Sequence, residues 1–205
     1  MLFPKNIFIT GTDTGVGKTI VSSVLLAGLG YTYWKPVQSG SLATTDTDIV
    51  KNLTGLPDER FLAEGYRLNT AASPHVSAAQ DGLEIDMANL RIPICTGNLL
   101  VEGAGGLLVP LNAKFLMIDL IKMLGMPVLL VARSGLGTIN HTLLSLEALR
   151  DRGIDVFGVV VNGERQRHNC RAIEYYGKVS VLAELEPLQD LTPRGILTAF
   201  QTNFT

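Results

Sequence analysis

The chain has 205 residues, 46% hydrophobic and 18% charged, a length that holds one domain with a sizeable core and would cramp two. Its 17 basic and 19 acidic side chains leave a net charge of −2, which gives no electrostatic reason to bind nucleic acid or an anionic membrane. Two cysteines, Cys95 and Cys170, are too few for a disulfide framework or a zinc site and point to reduced thiols in a cytoplasmic protein.

The opening "MLFPKNIFIT" has no basic start followed by a long apolar run, so no targeting segment is expected. Taken in chain order, a first strand is expected at 6–10 and a helix at 18–28, then a strand at 31–34 and helices at 47–54 and 74–80. A strand at 98–102, a helix at 114–124, a strand at 127–132 and a helix at 138–152 follow. The last elements are a strand at 156–162, a helix at 167–177 and a strand at 178–182. Residues 57–97 are the least regular, with Pro57, Pro74 and Pro93 breaking any long helix. The tail "RGILTAFQTNFT" reads as a short helix with a loose end. Near-continuous apolar strands suit a parallel sheet buried on both faces, and none approaches the ~20 residues of a membrane span. The whole chain, 1–205, therefore reads as a single α/β domain with a mainly parallel central sheet and helices on both faces.

Ligands of such sheets bind at the C-terminal strand edge, and there the polar, glycine-rich clusters fall. "GTDTGVGKT" follows the first strand, "KPVQSGS" the second, "EGAGG" the third, "RSGLGTINH" the fourth and "NGE" the fifth. The first is nearly a phosphate-binding loop, yet five residues, Thr12 to Val16, separate Gly11 from Gly17 where four are usual. Between a strand and a helix, Thr14 to Thr19 would offer successive backbone N–H groups to phosphate oxygens. Lys18 would reach the outer phosphates and the Thr19 hydroxyl a Mg²⁺ ion. A dinucleotide reading fails, because Ile20 stands where a third glycine belongs and Lys35 where an acidic ribose ligand belongs; "GLGTIN" (135–140) also lacks its third glycine.

Lys35 and Ser39 would point over the sheet edge, and a second lysine beside a triphosphate suits stabilisation of an anionic transition state. Asp46 and Asp48 both offer a carboxylate for Mg²⁺, although Asp48 also stands where an aspartate caps a helix. Glu102 ends an apolar strand, where a buried carboxylate is costly unless a cation such as Mg²⁺ offsets it. Gly103, Gly105 and Gly106 allow the backbone close to a ligand. His75 and His141 are expected to make structural hydrogen bonds.

Together "GTDTGVGKT" (11–19), "KPVQSGS" (35–41), "SPH" (73–75), "VEGAGG" (101–106), "GTINH" (137–141) and "VVVNG" (159–163) resemble, in the same order, the motifs of the dethiobiotin synthetase family. The resemblance covers nearly the whole chain and makes the lengthened loop the family's own variant. It implies a three-layer P-loop NTPase-like fold and a ligase of biotin biosynthesis. Diaminopelargonic acid, CO₂ and ATP would give dethiobiotin, ADP and phosphate through a carbamate and a carbamic–phosphoric anhydride. Lys18, Lys35 and Thr14 would serve catalysis. Ser39, Thr14, Gly105 and Asn140 would hold the substrate, its carboxylate tail near "GLGTIN" at the interface of a homodimer. Thr19, Asp48 and Glu102 would hold Mg²⁺. The nucleotide would lie against Gly15, Val16, Gly17, Lys18, Thr19 and Ile20, with Asp48, Glu102, Gly103, Ala104 and Gly105. Asn162 and Gly163 would meet the adenine, helped by backbone at 184–188, with Glu186, Pro187 and Leu188. Two departures stand out: Gly163 occupies a position the family gives to an acidic residue, and the proline of "LAELEPL" (182–188) comes one position late.

Two other classes compete. Another amide- or urea-forming ATP ligase on the same scaffold would need an ammonia source, and neither cysteine lies in a glycine-rich nucleophile turn. An ATP-switch partition-type ATPase would carry a lysine five residues before Lys18, where Asp13 stands. Such a switch would also use a basic patch or a basic amphipathic C-terminal helix, and neither is present in the sequence.

Overall fold

In the computed structural model, which describes residues 2–40 and 44–205, six strands form one parallel sheet. They are β1 (Asn6–Gly11), β2 (Thr32–Trp34), β5 (Leu99–Gly106), β6 (Val128–Arg133), β7 (Val156–Asn162) and β8 (Val181–Leu185), arranged β2-β5-β1-β6-β7-β8. The remaining two, β3 (Val37–Ser39) and β4 (Tyr66–Leu68), make a short parallel pair of their own. The sheet reverses direction of growth at β1, which pairs with β5 on one side and β6 on the other. A crevice therefore opens at its C-terminal end, where loops leave in opposite directions.

Side-chain alternation builds the layers. Ile7 and Ile9 of β1 face one side, and Phe8 faces the other. The first side is covered by α1 (Lys18–Leu29), α2 (Asp46–Thr54) and α7 (Pro193–Phe204), the second by α3 (Pro74–Gln80), α4 (Met117–Leu124), α5 (Thr138–Asp151) and α6 (Arg167–Gly177). The result is the expected α/β fold of three layers. No helix of the described residues is long and apolar enough to cross a membrane.

Three expected boundaries move for local reasons. The helix expected at 114–124 starts at Met117, because Asn112 Oδ1 accepts from the backbone N–H groups of Lys114 and Phe115 and holds them in a turn. The strand expected at 178–182 is Val181–Leu185, since Lys178 adopts a left-handed conformation (φ 45°) that closes α6. The tail is no loose end. It forms the twelve-residue α7, capped by Thr192, with Ile196, Ala199, Phe200 and Phe204 buried against α1 and β8. The pair β3–β4 carries too few residues to leave a periodic signal, and it is anchored where the Tyr66 N–H donates to the Pro36 carbonyl at 3.0 Å. Ser41, the last residue of "KPVQSGS", lies outside the described residues.

Candidate functional site

The loop between β1 and α1 is held in shape by its glycines and by hydrogen bonds to its backbone. Gly17, the residue before α1, has φ 94°, and a Cβ there would lie 2.1 Å from Asn162 Nδ2. Only glycine permits both the conformation and the approach. Asn162 Nδ2 donates to the Val16 carbonyl at 3.0 Å, so the end of β7 braces the loop from behind. Thr14 N–H donates to Asp13 Oδ1 at 2.7 Å, and Lys18 Nζ arches back to the Asp13 carbonyl at 3.0 Å. Burial and the neighbouring Lys35 lower the Lys18 ammonium from its ordinary 10.5 to about 8.

A cavity of about 600 Å³ opens in front of this loop. Thr14, Gly15, Gly17, Lys18 and Thr19 line it from the loop, Lys35, Gln38, Ser39 and Asp46 from the second cluster. The 71–74 turn lines a third wall, and Glu102, Ala104, Gly105 and Val109 complete it. Glu102 is fully buried at the end of its apolar strand and has three donors. Its Oε1 accepts from Thr19 Oγ1 and from Lys35 Nζ, each at 3.0 Å, and its Oε2 accepts from Tyr33 Oη at 3.1 Å. Lys35, 2% exposed, also donates to the Gly103 carbonyl at 3.0 Å and pairs with Asp46 Oδ2 at 2.6 Å. Burial by itself would lower the Lys35 ammonium, but Glu102 and Asp46 outweigh it and hold the group above its ordinary value. At neutral pH the cavity thus holds a buried, charged lysine between two carboxylates.

The choice between the two aspartates resolves by geometry. Asp48 Oδ2 accepts from the Thr45 backbone N–H at 3.0 Å and from Thr45 Oγ1 at 2.8 Å, closing a capping box at the start of α2. These bonds hold its carboxyl below the usual range. The structure places Asp46, two residues earlier, in the cavity wall, and Asp48, the residue expected to serve the metal and the nucleotide, in the helix cap.

Other expected residues separate. Among the described residues Ser39 Oγ, buried at the cavity wall, has no hydrogen-bond partner, and Gly105 lies beside Thr14. Ile20, on α1, is partly buried and packs against the core cluster of that side of the sheet. Asn140 is exposed on the first turn of α5 and lines no part of this cavity. Glu186, Pro187 and Leu188 line a second hollow of about 360 Å³ with Arg165 and Arg194. Gly163 has φ 128°, and a Cβ there would sit 2.4 Å from Ser134 Oγ, so this backbone excludes the acidic residue the family pattern would place there. His75 is exposed, and His141 Nδ1 lies 3.4 Å from Arg133 Nη2. Both cysteines are free, and burial with Glu184 pushes the Cys170 thiol up to about 12.

Two residues of the site are not among those the sequence singled out, Tyr33 outside every motif and Gln38 within "KPVQSGS". Tyr33 reaches Glu102 from β2, and Gln38 accepts the Asp46 backbone N–H at 2.9 Å while donating to the Ser39 carbonyl at 2.8 Å. Strand alternation would have found the first, since Tyr33 and Lys35 are two residues apart and share a face.

A family model described as an AAA domain matches residues 5–194. The ATP-dependent dethiobiotin synthetases BioD of Brucella ovis and Brucella melitensis biotype 1 are each 50% identical over 200 residues, spanning 98% of this chain and 94% of theirs. That of Brucella abortus is 49% identical over the same spans. Among solved structures, a ParA family ATPase from Chlorobium tepidum superposes with a TM-score of 0.56 at 10% identity, covering 96% of this chain and 94% of its own. The MinC:MinD cell division protein complex of Aquifex aeolicus does so at 0.53 and 16% identity, covering 97% and 95%. These two likenesses are of fold alone.

Proposed function

The chain belongs to the ATP-dependent dethiobiotin synthetase family, and from that premise we propose how its cavity carries the reaction. The activity is that of an ATP-dependent ligase making dethiobiotin from diaminopelargonic acid and CO₂. The observation that carries the assignment of roles is the meeting of two lysines of different origin in one cavity, Lys18 from the loop and Lys35 from the end of β2.

The loop N–H groups from Thr14 to Thr19 receive the phosphates at the start of α1, and Lys18 leaves the Asp13 carbonyl to meet the outer ones. The substrate enters with its amines toward Ser39 and Thr14, where the Ser39 hydroxyl, without a partner among the described residues, offers a donor and acceptor. One amine takes up CO₂ as a carbamate and releases a proton. Lys35 holds the carbamate oxygens, and with Lys18 it offsets the charge that builds as a carbamate oxygen attacks the γ-phosphate and the bond to ADP breaks, which is mostly what phosphoryl transfer asks of a protein. The second amine then attacks the mixed anhydride carbon, the ring closes and phosphate leaves.

The oxygen donors of the cavity suit Mg²⁺. Thr19, Asp46 and Glu102 supply hard oxygens, and among the described residues no three acidic, histidine or cysteine side chains could cage a metal by themselves. That is the donor set of an ion held by one or two carboxylates together with substrate phosphates. When bound there, Mg²⁺ would neutralise charge on the β- and γ-phosphates. Asn162, Gly163 and the Glu186–Leu188 hollow are the proposed base end. The 1–205 chain is read as one synthetase domain acting in the cytoplasm as a homodimer, with Asn140 serving the substrate tail of the partner copy. Leu136, fully exposed in "GLGTIN", and Leu144, 56% exposed on α5, are apolar side chains that such a partner copy would cover.

The test is phosphate release from Mg-ATP with and without diaminopelargonic acid plus bicarbonate, following labelled carbon into acid-stable product. Release that requires both co-substrates and matches fixed carbon is expected. Hydrolysis indifferent to them, with no carbon fixed, would overturn the assignment.

A further inference from the structure

Glu102 is the one acidic side chain of the cavity that is wholly buried, and its two oxygens have different neighbours. Oε1 faces Thr19 and Lys35, the side where ligands enter. Oε2 points away, to the hydroxyl of Tyr33 at 3.1 Å. Tyr33 is itself fully buried and does not line the cavity; its ring packs near Phe61, with centroids 6.0 Å apart. A carboxylate can rotate about its terminal torsion at little cost, and a single donor on the far oxygen removes that freedom.

We propose that Tyr33 is a positioning residue that pins Glu102 by Oε2, so that Oε1 alone is presented to the metal and to Lys35. The inference rests on the reading of Glu102 as a metal ligand. Its logic is that of outer-shell hydrogen bonds, which fix the orientation of a ligating group. When Thr19 and Lys35 turn toward phosphates and carbamate, Oε1 loses donors, and the bond from Tyr33 is the one that stays. Gln38 acts on Asp46 through backbone and cannot substitute for it.

The test is equilibrium binding of Mn²⁺ to the full-length protein in the presence of a non-hydrolysable ATP analogue, read by electron paramagnetic resonance, with steady-state kinetics alongside. Tyr33→Phe keeps the ring and removes the hydroxyl. It should weaken Mn²⁺ about tenfold and lower kcat, while KM for diaminopelargonic acid stays within twofold. Phe61→Leu disturbs the packing around the ring and keeps the hydroxyl, and should leave Mn²⁺ affinity unchanged. Mn²⁺ affinity of Tyr33→Phe within twofold of the parent, or equal losses in both variants, would overturn the proposal. A parent protein that takes up no Mn²⁺ with the analogue would remove the metal reading itself, and the role of Tyr33 with it.

Discussion

Lys35 Nζ lies 2.6 Å from Asp46 Oδ2 and, from the same position, 3.0 Å from Glu102 Oε1. Two elements far apart in sequence therefore meet on one buried cation, and the lysine is a structural counter-ion as well as a candidate catalytic group. A buried carboxylate stripped of its partner is strongly destabilising, whereas the intact pair adds little net stability.

Lys35→Ala should consequently show two effects that part company under nucleotide. Turnover should fall by about 10²-fold or more while nucleotide affinity changes little, because the role proposed for the charge is on the reacting carbamate. The unliganded variant should also lose about 3 kcal/mol of stability from the uncompensated Glu102, and Mg-nucleotide should restore part of it. Unchanged turnover would confine Lys35 to the counter-ion role.

Asp46 and Asp48 make a matched pair of tests. Asp46→Asn should shift the Mg²⁺ activation midpoint upward about tenfold, the size expected for losing a group that helps hold a metal. Asp48→Asn should leave that midpoint alone and cost about 1 kcal/mol by opening the capping box with Thr45. The opposite pattern in the metal titrations would return the metal role to Asp48.

Lys18 sets a pH dependence whose sign follows from its lowered value of about 8. A bound triphosphate raises that value, so the complex must hold a proton that the free protein loses above pH 8. Affinity should be flat below pH 8 and fall by up to about tenfold per unit above it. Calorimetric titrations at pH 9 in buffers of different ionisation enthalpy should show proton uptake, and a pH-independent affinity through that range would exclude the idea. For the unliganded fold the sign reverses: the burden of a buried ammonium is present below pH 8 and is relieved between there and the ordinary 10.5.

Phe200 tests the tail. It packs so closely over Gly28 of α1 that a Cβ on Gly28 would lie 2.1 Å from its ring. Phe200→Ala should cost about 3 kcal/mol, visible as a lowered midpoint in thermal or urea unfolding. A change under about 0.5 kcal/mol would mean that the last helix is not part of the core.

Much of the molecule was legible in the chain because it is encoded locally. The glycine-rich loop after β1, the apolar run ending in Glu102 and the alternation of strands with helices each depend on neighbours within a few residues. Periodicity and composition report such neighbours directly, and with them the fold class, the phosphate loop and the two lysines. Asp46 and Asp48 mark where that legibility stops. Both spacings fit a ligand, and only the direction in which α2 enters, with Gln38 holding the Asp46 N–H and Thr45 engaging Asp48, decides which carboxylate reaches the cavity. Tyr33 is the same case in reverse, an ordinary strand aromatic by sequence that becomes a partner of Glu102 because β2 lies against β5. The amphipathic tail could not announce its partner either, since the apolar stripe of α7 becomes a buried one only where α1 presents Gly28. Chemistry carried by consecutive residues was determined by the sequence alone; chemistry carried by contacts across the sheet was decided by the tertiary structure, because strand order and helix entry are set by packing the whole core at once.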